Sequence, residues 1–103
     1  MITEHALLDV LPGSAEEFEW AFGEARELIS ASPGFRGLEL LRCLDTPSRY
    51  LLLVRWDSVE SHAVGFRQGP DYAKWSALLH RFYSPFPVVE HYESALSTSS
   101  SVV

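Results

Sequence analysis

His62 is the residue of this chain best placed to move a proton. With Val59, Ala63 and Phe66 it falls at positions i, i+3, i+4 and i+7 of one helical face, a spacing that predicts an imidazole aimed at an apolar interior. An imidazole titrates near neutral pH, so in a dry pocket it suits the removal of a proton from a weak acid. The competing role is a core histidine satisfied by a backbone carbonyl or a tyrosine. Trp56, the second catalytic candidate, offers an indole N–H to a bound ligand, or else closes one end of a core. Phe66, Tyr72 and Trp75 gather around the break Gly69-Pro70 and are the substrate-binding candidates. Three such rings suit a flat hydrophobic ligand, although an aromatic stripe more commonly packs a core.

Other chemistries leave little trace. Cys-x-x-Cys, His-x-His and His-Glu-x-x-His are all absent, so no metal site is predicted. Gly34 and Gly37 do not make a phosphate loop, and Gly13-Ser14 lacks the spacing of a nucleophile elbow. Cys43, inside an apolar stretch, reads as a small core residue. Arg42 and Arg55 lie on a hairpin, where an interface role or pairing with Glu39 or Glu90 is expected. His91 with Glu90, and His5 with Glu4, read as solvated or interface pairs.

Period and breakers give the elements that must position these residues. Residues 4–11 alternate as a strand closed by Pro12-Gly13. Ser14 with Glu17 forms a capping-box pattern, and Phe18, Phe22, Ala25 and Ile29 continue at helical spacing until Ser32-Pro33-Gly34 stops the run. Two strands, residues 35–44 and 49–56, flank the turn residues Asp45-Thr46-Pro47-Ser48. A second helical region begins at Asp57, breaks at Gly69-Pro70 and resumes through Tyr72, Trp75, Leu78, Leu79 and Phe82. Pro85 and Pro87 end it, and residues 88–94 form a last strand. The order is βαββαβ, an α+β, ferredoxin-like arrangement with a four-stranded antiparallel sheet and both helices on one face. The domain is expected to span residues 1–95, with 96–103 a polar, mobile tail.

Composition narrows the class. The 103 residues carry 14 Asp and Glu against 8 Lys and Arg, a net charge of -6, and lack the basic face that a nucleic-acid partner requires. One cysteine excludes an internal disulfide. The acidic start Met-Ile-Thr-Glu-His is unlike a signal peptide, and the run Leu51 to Val54 is too short for a bilayer, so a cytoplasmic protein without membrane contact is expected. Tyr50 to Val54 and Leu38 to Leu44 are apolar on both strand parities. Two helices cover only one sheet face, so a homodimer packed through the other is predicted.

Three segments carry a resemblance: Ser32-Pro-Gly-Phe-Arg-Gly-Leu-Glu-Leu-Leu-Arg; Arg49 to His62; and Phe66-Arg67 with Tyr72-Ala-Lys-Trp75. Together they resemble the antibiotic biosynthesis monooxygenase (ABM) domain family, over about nine tenths of the chain. The resemblance implies a dimeric α+β barrel. It also implies cofactor-independent oxygenation of an aromatic small molecule, a phenol, quinol or polyketide-like compound, with no cofactor. In such chemistry the substrate supplies the electrons to dioxygen, while the protein takes a proton, stabilises the anion and excludes water. On this view His62 is the base. The haem-degrading branch of the family has an Asn, a Trp and an iron-binding His that align with Ala6, Gly65 and Ser76, so none of the three is kept. A non-catalytic binding barrel, or an isomerase or lyase using His62, are the alternatives.

Overall fold

The computed structural model describes residues 1–99. β1 (Ile2–Asp9) leads through α1 (Ala15–Ser30) to β2 (Phe35–Arg42) and β3 (Arg49–Trp56). A π-helical turn (Ser61–Phe66) then precedes α2 (Tyr72–Leu79), a single 3-10 turn (His80–Phe82) and β4 (Val89–Tyr92). The strands form one antiparallel sheet in the order β2-β3-β1-β4. β3 thus sits between β1 and β2, the split arrangement expected from the element order. Residues 96–99 lie outside any element and are exposed, and 100–103 of the expected tail lie outside the described residues.

Period two decides which side chains meet the helices. Glu4, Ala6 and Leu8 of β1 and Tyr50, Leu52, Val54 and Trp56 of β3 are all buried beneath α1 and α2. α1 buries Phe18, Ala21, Phe22, Ala25 and Ile29, the stripe its spacing predicts. Phe18 is fully enclosed and its ring meets those of Phe22, Tyr50, Phe82 and Tyr83. Removing a ring of this kind costs about 3–5 kcal/mol.

Local details differ from the expectation. The capping box at Ser14 does not form: with φ -107° and ψ 5° its backbone does not aim the hydroxyl at the first amides, and no side-chain cap is made. β2 ends at Arg42, so Cys43 and Leu44 fall beyond the strand; Cys43 is half-buried and Leu44 exposed, neither in the core. β1 stops at Asp9 because Val10 bridges to Tyr83. The first part of the second helical region winds as a π-turn, with the Arg67 N–H donating to the His62 carbonyl at 3.0 Å. This wider winding buries His62 and Phe66 but rotates Val59 out to 39% exposure. Gly34, at φ +87°, packs so closely on the Ser61 side chain that a Cβ has no room, and its carbonyl accepts from the Asp57 N–H at 2.8 Å. The exit of α1 is thereby fixed to the start of the turn that carries His62.

The opposite sheet face bears no helix. Leu7, Leu41, Leu51 and Leu53 share it with Thr3, His5, Arg55 and Tyr92, as the strand register dictates.

Candidate functional site

Four side chains from four elements converge under the sheet. Glu4 comes from β1, Trp56 from the end of β3, His62 from the π-turn and His91 from β4. Glu4 and His91 are cross-strand partners, so both point to the helix side. The Trp56 indole Nε1–H donates to Glu4 Oε1 at 3.0 Å. His62 Nε2 lies 3.3 Å from the same oxygen, and His62 Nδ1 lies 2.9 Å from His91 Nε2. The Trp56 ring stacks on His62 with centroids 5.6 Å apart and an interplanar angle of 27°, which holds the imidazole in line between its two partners. Glu4 and His62 are 5% and 4% exposed, whereas His91 opens to water.

Burial governs the charges. It pushes the Glu4 carboxyl up, against the Trp56 N–H and the Arg67 charge, which pull it down. It pushes His62 down to about 4, and His91 and Arg67 act in the same direction. His62 is therefore a neutral imidazole at neutral pH, and its 3.3 Å contact with Glu4 is not an ion pair. A neutral ring has one N–H and one lone pair, so His62 donates to one neighbour and accepts from the other.

Beside this group is a cavity of about 40 Å³, lined by Glu4, His62, Arg67 and His80 together with Phe66, Tyr72, Trp75, Tyr83, Phe86 and Pro87. It has room for about three waters. Phe86, about half exposed, and Pro87 line its solvent side. His80 is held by Ser76, whose Oγ is 3.1 Å from its Nδ1, and its ring meets Tyr72, Tyr83 and Phe86. Burial pushes His80 down and the Tyr83 phenol up.

Of the residues singled out in the sequence, His62, Phe66, Tyr72 and Trp75 line this cavity. Trp56 does not: it is fully buried and its N–H is spent on Glu4, so it orients the acid and does not face a ligand. Glu4 was read as solvated or an interface residue and is instead buried, whereas His91 is exposed as read but lies on the same side of the sheet as Glu4. The missed signal is parity, since Glu4 is in step with Ala6 and Leu8, and His91 with Val89. Arg42 pairs with neither Glu39 nor Glu90 but grips Glu19 on α1 in a fork, Nε to Oε2 at 2.7 Å and a terminal nitrogen to Oε1 at 2.6 Å. Glu19 is thereby held down near pH 2. Arg55 lies on the helix-free face.

The residues present do not fit a haem. The space beside His62 is filled by Phe66, Tyr72 and Trp75, and a macrocycle needs many times its volume. His80, the other imidazole there, is packed among rings and tied to Ser76. Among the described residues, no group of three His, Cys, Asp or Glu is gathered in a way that suits a metal ion.

Comparison with known proteins places this geometry. A sequence model described as antibiotic biosynthesis monooxygenase matches residues 1–78. The protein YczJ of Bacillus subtilis is 45% identical over 93 residues, which span 90% of this chain and 98% of that one. A haem oxygenase (mycobilin-producing) of Mycobacterium tuberculosis is 33% identical over 54 residues, about half of either chain (52% and 51%). The crystal structure of an antibiotic biosynthesis monooxygenase, so assigned, from Bordetella bronchiseptica superposes with a TM-score of 0.88 at 36% identity, covering 92% of this chain and 97% of that one. SnoaB, a cofactor-independent oxygenase from Streptomyces nogalater, shares the fold with a TM-score of 0.79 at 20% identity, over 96% of this chain and 97% of its own.

Proposed function

This chain belongs to the antibiotic biosynthesis monooxygenase family, and from that premise we propose that it oxidises a small phenol or quinol with dioxygen, drawing the electrons from the substrate and using no cofactor. The observation that carries this reading is the buried acid–imidazole pair, Glu4 and His62, at the wall of an aromatic cavity. An electron-rich ring reacts with dioxygen only once it is ionised, so the protein's task is to accept a proton where water is scarce. Glu4, raised by burial, and His62, kept neutral, are suited to that task at neutral pH. Phe66, Tyr72 and Trp75 supply the flat apolar walls. As it stands the cavity holds a few waters, so even a single ring requires its walls to move apart.

The second copy is part of the proposal. Leu7 and Leu41, 46% and 40% exposed, lie with Leu51 and Leu53 on a sheet face that no helix covers. A homodimer packed through this face removes an apolar surface that soluble monomers rarely tolerate. No helix among the described residues is long and apolar enough to cross a membrane.

Oxygen-electrode measurements with a panel of substituted phenols and quinols, without added reductant or metal, test the function. Substrate-dependent oxygen uptake is expected. Substrate consumed without oxygen would replace this reading with an isomerase or lyase using the same pair, and binding with no turnover would make the chain a small-molecule carrier.

A further inference from the structure

We infer that Glu4, and not His62, takes the proton from the bound substrate, and that His62 and His91 form the path by which this proton reaches water. The inference rests on the proposed oxidation and assigns the atoms within it. Both ring nitrogens of His62 already have partners: Nε2 faces Glu4 Oε1 at 3.3 Å and Nδ1 faces His91 Nε2 at 2.9 Å. No lone pair of this imidazole is left for a ligand. Glu4 lines the same cavity, and Oε1 alone meets Trp56 and His62, which leaves Oε2 without a hydrogen-bond partner among the described residues. His91 is the one member of the chain of contacts that opens to water. A buried acid, a neutral imidazole and an exposed imidazole, with facing atoms 3.3 Å and then 2.9 Å apart, make a continuous route from the cavity to the surface of β4.

The proton count closes. A substrate O–H bond breaks and its proton goes to the Glu4 carboxylate, leaving the substrate as an anion. Glu4 then gives a proton to His62 Nε2 while His62 Nδ1 gives its own to His91 Nε2. Glu4 is again a carboxylate, His62 is still neutral in its other tautomer, and His91 is an imidazolium that releases its Nδ1 proton to water. Monooxygenation with dioxygen reduces one oxygen atom to water and consumes protons later in the cycle. The same path run backwards supplies one and restores the first tautomer of His62. Arg67 from the end of the π-turn, Tyr72, His80 and Tyr83 are the other charged or titratable groups that line the cavity with Glu4, and among the described residues none of them hydrogen-bonds to it.

Nitrogen-15 NMR of the full chain, following the tautomer and protonation of His62 and His91 with pH, tests the path without a substrate. His62 is expected to remain neutral with its N–H on Nδ1 in the resting chain, which leaves the Nε2 lone pair to receive the proton from Glu4; an N–H on Nε2 there overturns the path. At fixed pH, Glu4→Gln is expected to move the ring-nitrogen resonances of His91, and to move them far less when His62→Gln is also present. An equal shift in both backgrounds means a through-space field and overturns the path, as does no shift in either. On any phenol that the chain oxidises, Glu4→Gln should lower turnover by about 10²-fold to 10⁴-fold with no rescue. His91→Ala should lower it less and recover in imidazole buffer. Full turnover in Glu4→Gln with loss in His62→Gln makes His62 the base and overturns the assignment. Coupled histidines with no phenol oxidised would instead refute the oxidation while showing the path intact.

Discussion

Replacing Glu4 by glutamine should uncover a rise of stability with pH that the native chain partly conceals. In the folded chain His62 gains a proton only near pH 4, against 6.5 for an ordinary imidazole, because burial, His91 and Arg67 all oppose its charge. Between these values the unfolded chain holds a proton that the folded chain does not, so stability climbs as pH rises and is fully present above 6.5. At about 1.4 kcal/mol per pH unit the whole span is worth about 3 kcal/mol, and solvent screening on the exposed His91 side lowers this to about 2 kcal/mol. Glu4 contributes with the opposite sign. Burial raises its carboxyl above 4.5, so from that pH upward the folded chain keeps a proton that the unfolded chain has lost, and stability falls. Above pH 4.5 the two slopes oppose, so the native chain should rise less steeply with pH than His62 alone would make it. Glu4→Gln keeps an acceptor for Trp56 and His62 and removes only the falling limb. Because about 1 kcal/mol moves the melting temperature of a domain this size by about 4–8 °C, the variant's melting temperature should rise by about 10 °C from pH 4 to 6.5, and the native chain's by less. Thermal melts in buffers of constant ionic strength provide the assay. A variant that parallels the native chain from pH 4.5 to 6.5 would refute the claim that burial sets both groups.

Three further outcomes are expected. Trp56→Phe keeps the ring on His62 but deletes the donor to Glu4, and should cost about 1–3 kcal/mol, more at neutral than at acid pH, where the carboxyl is protonated and needs the donor less; urea unfolding at two pH values checks it. Sedimentation at micromolar concentration should show a dimer, and Leu53→Asp, which places a charge on the helix-free face, should yield a folded monomer with at least about 100-fold weaker association. A stable native monomer would count against the covered face. Titration with haemin should give no stoichiometric Soret shift, since aromatic side chains fill the space beside His62; a tight shift followed by reductant-dependent breakdown of the pigment would show that the cavity opens further than its walls suggest.

Much of this architecture was legible in the chain because it is written in local period. The stripe Phe18, Phe22, Ala25 and Ile29 and the breakers Pro12-Gly13 and Ser32-Pro33-Gly34 determine α1 and its limits, and the βαββαβ order follows from repeated use of such signals. Doubly apolar Tyr50 to Val54 also foretold a sheet with one helix-free face. His62 was expected to point inward from its place among apolar neighbours, and it is buried, although Val59, which a regular helical period had put beside it, is exposed. What the sequence did not disclose was the set of partners. Glu4 and His91 are 87 positions apart in number and become neighbours only because β4 pairs with β1 in register. Trp56 reads equally well as a donor to a ligand or as core, and only the placement of Glu4 beneath it commits its N–H. Helical and strand periods report which way a side chain points, whereas its hydrogen-bond partner and the charge that burial allows it depend on contacts between segments distant in the chain, and these exist only once the sheet has closed.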